Sequence, residues 1–447
     1  MRWARSAPPD AATARLGTRP VGSLLWSSCL QTTAATGVYG VYALTNAWFV
    51  SQGMGDNAVA AVNLVAPLLL LLGAVSTTVG AGGASLVSRA LGGGDRGAAA
   101  RAAGNSFTLF WIAAATTTVV GLALLDPLLT LLGADDALRN AARPYAVVLL
   151  CGALVSTGFS SLVRAEGRIG FATLLWLVPV AVQISLDPLL IFGFGLGVRG
   201  AALGTVGGQA VSATMSLWFF FGRHERPYRV RFGDLRPHGP TLRTLLNVGM
   251  PSFFAGMGVT LLAALVNATL AATGPATALA AYAVCARLQT FTMMPHIGIS
   301  QGLQPIVGYN AGRGLRERVL RARSLALRGS LLYGLVTAAL LALLAEPLVG
   351  LFLHDPDTTG TATRALRILA LGLAVAGIAP LVAAFFQATG RPAPAYVISI
   401  GAVVLIKMPL TVALARFGTT GVWTALAAGE LVTAALALLL LKRLTAQ

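Results

Sequence analysis

Charge is what this chain has least of. Only 11% of its 447 residues are Asp, Glu, Lys or Arg, where an ordinary soluble domain carries about 25%. That scarcity excludes a soluble enzyme, a disordered chain and a nucleic-acid-binding module. Acidic residues are scarcer still, 15 against 32 basic ones, and lysine is nearly absent, with two beside 30 arginines. That usage, with abundant alanine, fits a high-GC bacterial gene. The three cysteines, Cys29, Cys151 and Cys285, are odd in number and lie in apolar stretches, so they imply no disulfide framework. The sequence shows no metal-ligand cluster, no nucleophile near a base and no GxxxxGK[ST] phosphate loop. Those absences argue against an enzyme, a resident cofactor or metal, and a nucleotide-driven pump.

What the chain has is apolar length. Hydrophobic residues make up 56% and the mean hydropathy is +0.76. About 20 apolar residues cross a bilayer as a helix. Twelve such stretches are predicted, near 24–50, 59–87, 98–125, 145–163, 171–195, 200–221, 246–272, 277–308, 324–344, 365–387, 394–414 and 421–441. The expected fold is an all-α integral membrane protein with twelve transmembrane helices.

Orientation follows from the basic residues. The N-terminal segment, the loops after spans 2, 4, 6, 8 and 10, and the C-terminal segment hold 24 of the 32 Lys and Arg. The opposite loops hold six, and only Arg287 and Lys407 lie deep within spans. The positive-inside rule then puts both termini in the cytoplasm. Residues 1–20 are polar, basic and Pro-containing, and read as a disordered cytoplasmic tail. The richest basic loop, within 222–243, reads as a cytoplasmic linker between an N-lobe, 21–221, and a C-lobe, 244–447.

The two halves repeat. LLDPLLTLLGADD (124–136) matches LLAEPLVGLFLHD (343–355), Gly167-Arg168 matches Gly390-Arg391, and Leu186-Asp187-Pro188-Leu189 matches Lys407-Met408-Pro409-Leu410, at an offset near 221. Two six-helix units in the same orientation imply a pseudo-two-fold axis along the membrane normal, as in secondary transporters that alternate access between halves.

Three stretches resemble a known family. PHIGISQGLQPIVGYNAG (295–312), ISLDPLLIFGFGLGVRGAALGT (184–205) and GMGDNAVAAVNLVAP (53–67) are similar to motifs of the multidrug and toxic compound extrusion, or MATE, transporters. The resemblance implies twelve helices in two lobes and antiport of lipophilic cations against protons or sodium. It also implies that Asp187, with Thr205, belongs to an N-lobe cation site.

The acids agree. Thirteen of the 15 lie in tails, loops or span ends, and only Asp187 and Glu430 fall inside apolar runs. An Asp at mid-membrane costs about 2.5–3.5 kcal/mol on insertion scales, so each of the two is a functional candidate. Gln183 precedes Asp187 by four residues and shares its helix face. Their oxygens suit either a proton or sodium. The sequence departs from the family pattern in three places: Asn46 stands where an Asp is usual, Gln31 near a usual Pro, and Gln183 at a usual Asn. The N-lobe site therefore has one carboxylate. In the C-lobe, Lys407 and Glu430 are close enough in the repeat to pair, either structurally or as a second coupling site.

For a substrate cavity the candidates are Phe253, Met257, Tyr282, Arg287, Gln289, Met293 and Met294. Aromatic faces attract cations and methionines adapt to varied shapes. Pro251, Pro295, Gly302, Gln304 and Pro305 read as hinge or packing residues. His296 reads as a packed side chain. The expected protein is a monomeric antiporter in a bacterial cytoplasmic membrane, without nucleic acid, with small lipophilic or cationic substrates. A lipid-linked precursor flippase and a dedicated exporter of one metabolite are the alternatives.

Overall fold

The computed structural model describes residues 11–131, 134–156, 159–223 and 226–445, and among them every regular element is helical. The chain forms two compact units. One comprises Met1–Arg19, Ala34–Gly249 and Gly308–Gly314, the other Pro20–Thr33, Met250–Val307 and Leu315–Gln447. These boundaries cut across chain order at Pro20–Thr33 and Gly308–Gly314.

The first unit contains α1 (Ala11–Thr18), most of α2 (Val21–Gly92), α3 (Arg96–Ala123), α4 (Leu125–Leu131), α5 (Asp136–Gly152), α6 (Ser160–Ala165), α7 (Ile169–Pro188) and α8 (Gly197–Leu217). The few acids outside the spans start helices. Asp95 accepts from the Ala98 amide at 2.8 Å and Asp135 from Leu138 at 2.7 Å, satisfying first-turn donors of α3 and α5.

α2 holds two of the expected spans. Its 72 residues would run roughly 108 Å if straight. Yet a Cβ on Gly17, just before it, would lie 2.9 Å from the Tyr309 ring, and one on Gly92, its last residue, 2.9 Å from the Tyr309 carbonyl carbon. The helix therefore doubles back and makes two passes.

Two segments differ from expectation. Residues 11–18, read from composition as disordered, form α1, whose Leu16 is fully buried. The Thr13 hydroxyl donates to the Glu166 carbonyl at 2.8 Å, and Asn310 Nδ2 donates to the Leu16 carbonyl at 2.9 Å. Tertiary partners distant in sequence hold what local composition would leave loose. The basic loop is more than a linker. Asn105 Nδ2 donates to the carbonyls of Asp234 (3.0 Å) and Arg236 (3.3 Å), and its Oδ1 accepts from the His238 amide at 2.8 Å. Thr108 donates to the Leu235 carbonyl at 2.6 Å, so the loop is strapped onto α3.

The second unit continues α9 (Gly239–Thr273) from Met250 and α10 (Ala276–Gly312) as far as Val307. It then adds α11 (Arg316–Leu343), α12 (Ala345–Gly350), α13 (Pro356–Leu373), α14 (Ile378–Ala388), α15 (Pro392–Tyr396), α16 (Met408–Ala415) and α17 (Gly418–Thr445). Its core gathers Val266, Leu270, Ala281, Leu366, Val422 and Trp423. Small residues set the helix spacing: a Cβ on Gly302 would lie 2.9 Å from the Cys29 amide nitrogen, and one on Gly298 2.9 Å from Thr33 Cα.

Among the described residues nine helices are long and apolar enough to cross a membrane. The first pass of α2, α8 and α10 completes the expected twelve. α8 and α10 are more polar than the other spans, α8 carrying Gln209 among several glycines and α10 carrying Arg287, Gln289, His296, Gln301 and Gln304.

Candidate functional site

The N-lobe site is built where α7 packs along α8. Pro188 has no N–H for the helix ladder, and α7 passes at Leu189–Gly193 into one π-helical turn, in which the Phe194 amide reaches back to the Leu189 carbonyl at 2.9 Å. Such wide turns mark functional positions in helices. Asp187 sits immediately before that break and is 1% exposed.

The structure brings all four expected residues inside, with Asn46, Gln183 and Thr205 also buried. Asn46 Nδ2 donates to Asp187 Oδ2 at 3.0 Å. Gln183 Nε2 donates to Thr205 Oγ1 at 2.7 Å, and Thr205 Oγ1 donates to the Ala201 carbonyl at 3.1 Å. Among the described residues Asp187 Oδ1 has no hydrogen-bond partner. It faces Gly204, where any Cβ would collide with it. One turn along α8, a Cβ on Gly208 would lie 3.1 Å from Gln183 Cβ. These two glycines admit the polar side chains of α7, and sequence reasoning missed them as site residues. The signal was available as glycines four residues apart in GTVGG, but only packing tells which glycines face a carboxylate.

A buried carboxylate needs a positive partner. Among the described residues no Lys or Arg forms an ion pair with Asp187, which leaves a proton or a small cation. The nearby oxygens of Asn46, Gln183 and Thr205 are the hard donors sodium prefers.

In the second unit Lys407 and Glu430 do pair, with Nζ 2.5 Å from Oε1 and side chains 15% and 18% exposed. The cavity candidates fall in different surroundings. Tyr282 stacks on Trp423 with centroids 6.0 Å apart, and Met293 packs against the cluster of Ala338, Leu341 and Leu373. Phe253 meets Phe254 edge-on at 5.9 Å. Gln289 and Met294 are half-buried, while Met257 and Arg287 are exposed. A cavity of about 730 Å³ in this unit is lined by residues including Glu346, His354, Arg364 and Arg367, and by none of these seven.

Among the hinge candidates, Pro251 lies within α9, and Pro295 and Pro305 within α10. Pro305 is buried and Gln304 half-buried. His296 is packed as expected: Nδ1 lies 2.9 Å from Ser330 Oγ, Tyr333 meets the ring edge-on, and Gly377 leaves it room.

Helices that cross a membrane in two units, with a buried carboxylate inside a span, define a membrane-transporter architecture. The sequence matches the MatE family over residues 37–189 and 251–413. The chain belongs to that family and is a membrane transport protein, not an enzyme. It is 26% identical over 399 residues to an FAD transporter of Shewanella oneidensis, covering 88% of this chain and 87% of the relative. It is 28% identical over 399 residues to the multidrug export protein MepA of Staphylococcus aureus, with the same coverage. The fold matches an outward-facing MATE family transporter of the MOP superfamily with a TM-score of 0.91 at 24% identity, covering 98% of this chain and 99% of that one. It also matches a MOP superfamily transporter from Pyrococcus furiosus with a TM-score of 0.89 at 24% identity, covering 97% of both. The all-α, twelve-helix, two-lobe membrane fold is that of these transporters.

Proposed function

We propose that this chain is a multidrug efflux antiporter that exports lipophilic, cationic compounds in exchange for protons or sodium. It works by alternating access of an N-lobe (21–221) and a C-lobe (244–447), as a monomer in a bacterial cytoplasmic membrane with both termini inside. The observation that carries the reading is Asp187: a carboxylate buried in a transmembrane helix, with Asn46 on one oxygen and the other lying against Gly204 without a hydrogen-bond partner among the described residues. Binding a cation there removes an unpaired charge and lets α7 and α8 settle together; releasing it restores the charge and loosens them. One charge moving through 100 mV supplies about 2.3 kcal/mol, enough for modest accumulation. Likeness to the multidrug export protein MepA supports the drug-export reading, and the weight of Lys and Arg on one set of loops supports the orientation.

The test is ethidium efflux from a pump-deficient bacterial host, comparing wild type with Asp187→Asn, with the proton gradient collapsed and then with sodium withdrawn. Loss in the variant and under one ionic condition is expected, and it names the coupling ion. Full efflux by a well-expressed Asp187→Asn variant removes Asp187 from the mechanism. The relative named as an FAD transporter favours one second reading, a dedicated exporter of an endogenous metabolite. Absence of dye export by well-expressed wild type moves that reading ahead.

A further inference from the structure

The second unit carries within its spans a carboxylate that already has its cation: at the repeat offset Lys407 falls beside the position of Asp187, and Glu430 at that of Gln209. Gly429 follows Gly208 at the repeat offset of 221. Each glycine brings its helix against the side chain of the facing one: an added Cβ would lie 3.1 Å from Gln183 Cβ at Gly208, and 3.1 Å from Lys407 Cγ at Gly429. Both helices widen near the crossing, at positions that do not match in the repeat: Leu189–Gly193 is a π-helical turn that follows Asp187, and Val403–Lys407 is one that ends at Lys407. Threonine hydroxyls tie down the second crossing, Thr411 donating to the Lys407 carbonyl at 2.8 Å and Thr433 to the Gly429 carbonyl at 2.6 Å.

The two crossings hold different chemistry. In the first unit the acid has an amide on one oxygen and, among the described residues, no partner on the other. In the second, the Lys407 ammonium sits 2.5 Å from Glu430 Oε1. We propose that Lys407 is a tethered cation permanently neutralising Glu430, the second carboxylate within the spans, so that Asp187 alone exchanges ions with solution. This inference rests on the coupling role proposed above for Asp187. A carboxylate within a span requires a positive charge beside it. An ammonium on the same chain reaches it at an effective concentration set by a four-carbon stem, which competes with ions in bulk solution. Being covalently held, it crosses no gradient and contributes no driving force. Lys407 thereby fixes the number of ions exchanged per substrate.

The test uses purified full-length protein in liposomes, with the membrane potential clamped at zero and a tenfold gradient of the coupling ion. The quantity read is the ethidium ratio at which net flux stops. Each additional coupled ion multiplies that ratio about tenfold. Lys407→Met frees Glu430 to take an exchangeable ion, and its ratio is expected to rise about tenfold over wild type. Lys407→Arg keeps the tether and the wild-type ratio. An unchanged ratio in an active Lys407→Met variant overturns the proposal and leaves the pair a structural one. Should Lys407→Met not reach the membrane, the neutral double variant Lys407→Met/Glu430→Gln decides: the wild-type ratio supports the tether, and a tenfold fall shows that Glu430 itself couples ions. Asp187→Asn in the same liposomes separates the two claims. If it still concentrates ethidium, the coupling role of Asp187 fails, whatever Lys407 does.

Discussion

Gly204 and Asp187 interlock across two helices: the glycine's missing side chain is the space in which Asp187 Oδ1 lies. Any side chain at 204 pushes the carboxylate aside or the helices apart.

Gly204→Ala is therefore expected to abolish ion-coupled efflux while the protein still reaches the membrane. Overpacking of this kind costs about 1–3 kcal/mol. Efflux and thermal unfolding in detergent, measured together, check it: lost coupling with a small fall in melting temperature is the expected pair. Normal efflux would show that Asp187 has room the packing denies it.

A buried ion pair outside the spans predicts a larger effect. Glu166 and Arg226 pair with their side chains 0% and 1% exposed. The guanidinium lies 4.4 Å from the Phe220 ring centroid and 4.7 Å from that of Tyr228, and Nη1 donates to the Phe220 carbonyl at 2.8 Å. Removing one partner of such a pair typically costs about 3–5 kcal/mol. Arg226→Ala is expected to lower the melting temperature sharply, and Glu166→Leu/Arg226→Met to recover much of the loss, since it strands no charge.

The same cluster sets an alkaline limit. Burial alone would lower the Arg226 pKa, but neighbouring Glu166 outweighs it and holds the pKa above the usual value. Burial, then Glu166, raises the Tyr228 hydroxyl well above 10. A pKa raised on folding gives stability that is complete below the unfolded value and lost as pH climbs through the folded one. Stability from this cluster is thus expected to hold up to about pH 10 and to drain above it. Unfolding followed from pH 7 to 11.5 checks it, and Tyr228→Phe should show a shallower alkaline decline.

At the acid end the relevant group is Asp355, which caps α13. Its side chain accepts from the Thr358 hydroxyl at 2.6 Å and the Thr358 amide at 2.9 Å, and these bonds hold its pKa below the ordinary carboxylate value. A depressed pKa works in the opposite sense: the contribution is complete above the unfolded value and lost as pH falls through the folded one. Wild type is expected to lose stability below about pH 4, and Asp355→Asn, which caps without titrating, to lose less between pH 6 and pH 3.

The N-terminal helix gives the last prediction. Leu16 is fully buried, and Gly167, at φ +82°, lets the α6–α7 turn approach so closely that a Cβ there would lie 2.8 Å from the Ala12 carbonyl oxygen and 3.2 Å from Leu16 Cγ. Leu16→Ala is expected to destabilise the protein by about 2–5 kcal/mol. Proteolysis around residues 11–19 should become faster in the variant. Unchanged protection would mean that α1 does not depend on this anchor.

Much of this was legible beforehand, for identifiable reasons. Asp187 and Glu430 stood out because a charge in an apolar run is costly wherever the helix ends up. The Gln183–Asp187 spacing put both on one face by helical period alone. α1 and the strap near Asn105 were not legible: their bonds join Thr13 to Glu166 and Asn105 to Asp234 and Arg236, partners more than 120 residues apart. The cavity candidates were chosen by chemistry, which does not distinguish Tyr282 stacked on Trp423 from a ring open to substrate.

Hydropathy, helical period and the cost of buried charge act locally along a chain, so the residues alone revealed the membrane, the number of passes, the repeat and the two carboxylates. Packing had to show that Asn46 answers Asp187, that Gly204 and Gly208 make room for the side chains of α7, and that Lys407 lies against Glu430. Those are facts about which faces of helices meet, and helix packing is set by side-chain shape between segments far apart in sequence.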